Sequence, residues 1–346
     1  MGVEKVARSG PILPWRRRLG FRIAKWALAI SLVLIVLCWL IMIRMPGESH
    51  QGPLPPLSEK QVSLAKELRN DVEALASLGE RSTRRPRALE QGARLAHDTL
   101  SAAGHAVSRQ TYTVNGTACD NVEVRIPGKS DEAVVVGAHY DSEHGTPGAN
   151  DNGSGVAVLF ALARHFEPRT KPNRELRLVA FVNEEMPHFV RGTMGSQHYA
   201  SQARKAGDRI VAMLSLETMG YYSDEPKSQH YPPPVGLFYP DQGNFLGFVG
   251  DLRSRALLRR SIGTFRKHAR FPSEGAALPR WLPGVGWSDH RSFWHEGYPA
   301  IMLTDTAPFR YPHYHRATDT PDRIDYERLA RVVEGVVAVV EDLLDK

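Results

Sequence analysis

Three short apolar runs in this chain each end abruptly in acidic or imidazole side chains, and that pattern constrains the fold more than any other feature. AVVVG (133–137) leads into His139, Tyr140 and Asp141; LRLVAFV (176–182) leads into Asn183, Glu184 and Glu185; IVAMLSL (210–216) leads into Glu217. Continuous apolar runs of this length suit strands buried on both faces, the kind found in parallel sheets covered by helices. Ligands of open α/β sheets bind beyond the carboxyl ends of the strands. Three separate strands therefore deliver polar side chains to one rim.

The intervening segments agree. Ser58 can cap a helix running to about Leu78, with apolar positions at Val62, Leu64, Leu68, Val72 and Leu75. A second helical pattern covers 88–103 and is closed by Gly104. Alternation in 107–114 and 121–126 predicts neighbouring strands. Helices are expected at 155–166, 196–206 and 326–344, and strands at 176–182, 209–216 and 299–303. This order predicts one α/β domain over 58–346, with three layers and a central, mostly parallel mixed sheet flanked by helices.

A net charge of +6 suggests nucleic-acid binding until it is located. Lys5, Arg8, Arg16, Arg17, Arg18, Arg22 and Lys25 stand against Glu4 alone in residues 1–25, so this basic tail accounts for the whole excess. The remainder is neutral, and nucleic acid is discounted as a partner. An apolar run follows, Trp26 to Ile43. As a helix it would be ~27 Å long, close to the hydrocarbon thickness of a bilayer. Basic residues before it predict a single-pass anchor with the N-terminus cytoplasmic and the remainder extracytoplasmic. The run exits into Arg-Met-Pro-Gly without a small-residue cleavage site, which argues against a removed signal peptide. Residues 44–57, rich in Pro and Gly, read as an extended stalk.

The two cysteines, Cys38 and Cys119, lie on either side of the anchor's end and cannot form a disulfide framework or a thiolate metal site. Any metal must be held by histidine and carboxylate. Five strings carry such groups in order: HYD (139–141), GANDNGSG (148–155), NEE (183–185), LETMGYY (216–222) and YHRATDT (314–320). Two imidazoles and at least four carboxylates suffice for two divalent ions and a general base. His139 is a potential ligand, and Asp141, two residues on, lies on the same side of an extended chain and can orient its ring. Asp151 sits in a turn of small residues that lets backbone approach a cation closely. Glu184 and Glu185 diverge on an extended segment, so one can ligate while the other faces a water. Glu217 is a further carboxylate. In the loop that carries the last string His313 and His315 both qualify, and His290 and His295 are further candidates.

As a set the five strings resemble those of the di-zinc aminopeptidase family, which includes bacterial leucyl-type aminopeptidases and, more distantly, glutaminyl cyclases. The likeness runs from about Asn121 to the C-terminus. It implies a zinc-peptidase fold and hydrolysis of peptide bonds by a water activated between two zinc ions. Carried over, it implies that His139 and Glu217 hold one zinc, Glu185 and His315 the other, and Asp151 both. Glu184 would be the general base and Asp141 the orienting carboxylate. The YH-x3-DT spacing selects His315, and the peptide after Asp151 is expected to be cis. Many members carry Asp where this chain has Glu217. SDHRSFW (288–294) also resembles a family element, to which a supporting role is assigned. The alternatives are a one-zinc glutaminyl cyclase, disfavoured because Tyr314 stands where cyclases carry tryptophan, and an inactive binding relative, disfavoured because the ligand set is complete. The loop 221–243 is expected to line the entrance.

Overall fold

The computed structural model describes residues 14–167 and 171–345, with side chains of 14–20 left aside; the first half of the expected basic tail lies outside the described residues. Two compact units are formed, Met1–Arg44 and Met45–Lys346. The first contains helix α1 (Pro14–Cys38), whose helical path continues to Ile43. Phe21–Ile43 has a mean hydropathy of 2.8, making it long and apolar enough to cross a membrane.

The second unit is a three-layer α/β domain. Its elements are α2 (Glu59–Ala76), α3 (Pro86–Ala102), β1 (Val107–Val114), β2 (Thr117–Ile126), β3 (Glu132–His139), α4 (Gly155–His165), β4 (Glu175–Phe181), α5 (His188–Arg191), α6 (Gly195–Ala206), β5 (Arg209–Glu217), β6 (Leu246–Gly250), α7 (Arg255–His268), β7 (Ser273–Ala277), α8 (His290–His295), β8 (Ala300–Thr304) and α9 (Tyr326–Asp345). One eight-stranded sheet runs in the order β1-β2-β4-β3-β5-β8-β6-β7. β4, β3, β5 and β8 form a parallel centre, β1 and β2 are antiparallel to it on one side, and β6 and β7 oppose β8 on the other. The sheet is therefore mixed with a parallel middle. β6, α7 and β7 were not anticipated in the sequence; the two strands have only five residues each, LGFVG and SEGAA, too short to show a period.

Alternation along the central strands sorts their side chains. Val134, Val136 and Ala138 of β3 and Ala212, Leu214 and Leu216 of β5 join the large core with α2, α4 and α9. Gly137 and His139, and Ser215 and Glu217, therefore face the opposite side, where α6 and α8 lie. Phe181, Tyr199 and Phe293 cluster there, with ring centroids 5.7–6.2 Å apart. A Cβ at Gly137 would stand 2.2 Å from the Phe181 ring, so only glycine admits that ring beside the strand leading to His139.

Ser58 caps α2 through a capping box with Gln61. Before it, Met45–Pro55 lies along the domain: Arg266 donates to the Pro46 and Gly47 carbonyls, the Ser273 amide to Ser49 Oγ, and Arg331 to the Pro55 carbonyl.

Between α2 and α3 the loop buries Arg81 completely. Its guanidinium donates to the carbonyls of Leu75, Gly79, Tyr140, Pro147 and Gly148, at 2.6–3.3 Å, stitching the loop to the end of β3 and to the turn before Asp151. Burial pushes its pKa down to about 10, while Asp141, Asp319, Asp151 and Glu185 act to keep it charged. Arg81→Met leaves these carbonyls without their donor. It should cost about 3 kcal/mol in urea unfolding, the order for breaking a buried charged network; a loss below about 1 kcal/mol would show that the carbonyls find other partners.

Candidate metal centre

The carboxyl ends of β3, β4 and β5 converge as their sequences require. His139, the last residue of β3, is fully buried. Its Nε2 lies 3.4 Å from Glu217 Oε2 at the end of β5, 3.5 Å from Asp151 Oδ1 and 3.9 Å from Glu184 Oε2. Its Nδ1 stands 3.2 Å from the Asp141 carbonyl and 3.5 Å from Asp141 Oδ1.

Asp151 lies between two imidazoles. Its Oδ2 is 3.1 Å from His315 Nε2, which is also 3.4 Å from Glu185 Oε2. The Asp151–Asn152 peptide is cis. Gly148, at φ +58°, makes the turn possible: a Cβ there would meet the Asp151 carbonyl at 2.5 Å. His315 stacks on Tyr314 with centroids 3.8 Å apart. The remaining histidines are elsewhere. His290 Nε2 bonds the Val285 carbonyl, His295 faces Gln197, and His313 faces Thr318.

Around these groups stands a set of orienting bonds, several of which the sequence did not disclose. The two oxygens of Asp141 accept from the backbone amides of Glu184 and Glu185, at 3.1 and 3.2 Å. One aspartate thus fixes both the His139 ring and the turn carrying the two glutamates. Asp319, in the last string, accepts from the Asn150 and Asp151 amides and from the Tyr311 hydroxyl. Ser288 donates to Glu217 Oε2 at 2.7 Å, a supporting role for SDHRSFW. Asp305 accepts from Asn150 Nδ2 and the Tyr221 amide. Glu143, which the sequence reading passed over, brings Oε2 within 4.0 Å of His315 Nδ1. Its only signal was a carboxylate two residues beyond Asp141.

Two groups of side chains place their ligand atoms within 4.8 Å of one another: His139, Asp151 and Glu185, and Glu143, Glu185 and His315. Electrostatics call for cations there. Burial pushes the Glu184 and Glu185 carboxyls well above the usual carboxylate range, aided by their acidic neighbours. Burial also opposes ionisation of Asp151, but His139 and His315 outweigh it and hold that carboxyl low. His139 Nε2, both oxygens of Asp151 and Glu185 Oε1 are buried without a hydrogen-bond partner. Unpaired buried donors and acceptors of this kind are costly and rare. Histidine nitrogen and carboxylate oxygen are good zinc donors, so the residues fit a pair of zinc ions.

A hollow of about 230 Å³ opens over Asp151, Glu184, Glu185, Glu217 and His315. Adjoining it, and sharing Glu217, Trp287 and Tyr314, is an apolar hollow of about 100 Å³ lined by Phe245, Val249, Leu278, Val285 and Met302. Gln229, Tyr231, Val235 and Tyr239 of the expected entrance loop also line it.

Known proteins are similar to this chain to different extents. The chain is 33% identical to the Escherichia coli (strain K12) protein YfbL, over 73% of this chain and 80% of that one. It is 27% identical to leucine aminopeptidase 1 of Arthroderma otae over 63% of its length, and spans only 56% of that relative. Among solved structures, BSAP, a zinc aminopeptidase from Bacillus subtilis, superposes with a TM-score of 0.65 at 16% identity, covering 82% of this chain and 95% of that one. A profile of peptidase family M28 matches residues 121–340, a span holding all of the convergent side chains described above. The chain belongs to peptidase family M28 and is a metallopeptidase whose paired donor groups suit a di-zinc centre.

Proposed function

We propose that the protein is a zinc-dependent aminopeptidase that removes an apolar residue from the N-terminus of peptides. One observation carries this reading: Asp151, with both oxygens partnerless, lies between His139 and His315, each with a further carboxylate alongside. His139 and Glu217 would hold one zinc, Glu185 and His315 the other, and Asp151 would serve both. Zinc bound there supplies Lewis acidity and activates water near neutral pH.

The chain's own residues do the rest. Glu184, beside the hollow, takes the proton of the attacking water and returns it to the leaving amine. Asp141 orients His139 and, by holding the amides of 184 and 185, aims the two glutamates apart. The apolar hollow beside Glu217 and Tyr314 accepts the first side chain. The relative named leucine aminopeptidase and the fold shared with a zinc aminopeptidase support attack at the amino end.

Phe21–Ile43 would anchor the enzyme as a single-pass span, with the basic tail cytoplasmic and residues 45–346 forming the extracytoplasmic catalytic domain. Its hydropathy and the preceding cations support this. The full chain should stay with membranes after alkaline carbonate washing, whereas residues 45–346 should be released; release of both would exclude the anchor.

Glu184→Gln should keep its zinc and lose roughly 10³-fold in kcat, the upper part of the range for a general base. On the unaltered enzyme, Leu-anilide should be cleaved at least tenfold faster than Gly-anilide, the order expected for burying an isobutyl group, and N-acetyl-Leu-anilide not at all. Full activity in the Gln variant would reject the base, and cleavage of the acetylated substrate would reject the amino-end reading.

A further inference from the structure

Beside the metal cluster lies a further hollow of about 350 Å³ that shares no lining residue with the apolar one. Phe189 is its shared wall with the space over the metal ligands. Its other walls include Arg191 at the end of α5, Arg291 of α8, and Gln197 and His295. Glu217, Trp287 and Tyr314 line both the apolar hollow and the central one, and Phe189 lines both the central one and this third hollow. Phe189 is not among the walls of the apolar hollow, so a peptide whose first side chain fills that end, with its scissile carbonyl beside Glu184, has Phe189 available to its remainder.

The third hollow has an unmatched positive character. The Arg291 guanidinium carbon lies 4.7 Å from the centre of the Phe189 ring, a cation–π contact at the shared wall. Among the described residues no ion pair is formed by Arg291 or Arg191, whereas Arg164, Arg174, Arg177 and Arg260 each pair with a carboxylate. The nearby acid, Glu296, is engaged by Gln197. His295 adds no charge that would repel or replace the arginines: burial, then Arg291 and Arg280, lower its pKa. An arginine at a cavity wall that forms no ion pair among the described residues is suited to receive a carboxylate in forked geometry.

We propose that Arg291, assisted by Arg191, forms a carboxylate-binding subsite on the leaving-group side, which takes the free C-terminus of a dipeptide or an acidic side chain just beyond the cleaved bond. This rests on the aminopeptidase reading, since only a substrate entering amino end first places its remainder at Phe189. The subsite makes short peptides with a free carboxylate the preferred substrates. It also assigns a task to SDHRSFW, whose Ser288 supports Glu217 while Arg291, three residues on, reaches the leaving group.

The test compares kcat/KM of the intact, zinc-loaded enzyme on Leu-Gly, Leu-Gly-amide, Leu-Glu-amide and Leu-Gln-amide, with Leu-4-nitroanilide as a substrate that lacks any carboxylate. Leu-Gly should exceed its amide roughly tenfold, the scale of one charge-assisted hydrogen bond at a partly open site, and the advantage should shrink as salt rises. In Arg291→Gln the acid-to-amide ratio should fall toward one, and Arg191→Gln should reduce it less. Leu-Glu-amide exceeding Leu-Gln-amide would assign the site to the side chain; Leu-Gly alone showing the advantage would assign it to the C-terminus. Equal rates on acid and amide in the unaltered enzyme would overturn the subsite, as would an Arg291→Gln variant that loses activity on both by the same factor. Leu-4-nitroanilide reports the aminopeptidase reading separately: if it is cleaved and the ratio is one, only the subsite fails, and if it is not cleaved, both fall.

Discussion

Asp151, Glu184, Glu185 and Glu217 are buried around the His139 imidazole, with the more exposed His315 at the edge of the cluster, and the excess of negative charge is the constraint on which the rest of the structure turns. Burying a carboxylate costs several kcal/mol unless opposite charge and hydrogen bonds offset it. Here the atoms nearest the centre lack hydrogen-bond partners. Divalent cations relieve that cost, and the field of the clustered carboxylates draws them in. Binding is then coupled to the stability of the fold.

Such a cluster persists only if the backbone beneath it is over-determined. Asp141 and Asp319 each grip two amides, on the turns that carry Glu184 with Glu185 and Asp151 respectively. Arg81 ties five carbonyls from three stretches of chain underneath, and it is the fixed positive charge nearest several of the acids. The geometry of the cluster is thus set by the groups that grip the backbone around it.

Much of this could be read from the chain. The parallel centre of the sheet was legible because β3, β4 and β5 are largely apolar runs ending in ligand-type residues, and the strand-end rule then brings His139, Glu185 and Glu217 to one rim. β6 and β7 were not, since strands of five residues are too short to carry a period. The stalk's composition suggested a spacer, but its carbonyls and Ser49 bond to Arg266, Arg331 and Ser273, which no local pattern announces. His315 could be chosen over His313 only by likeness to a family; Tyr314 stacking and the 3.1 Å approach to Asp151 are tertiary facts. Arg81 sits in a polar stretch, GERSTRR, that reads as solvent-facing loop. Its burial depends on carbonyls about 60 residues away.

The central claim is that Asp151 serves two zinc ions at once. Counting metal directly tests it: residues 45–346 should retain close to two zinc per chain after dialysis, measured by plasma mass spectrometry, and Asp151→Asn should lose most of both together while remaining folded by circular dichroism. An Asn variant that still holds two zinc with undiminished affinity would contradict a shared aspartate.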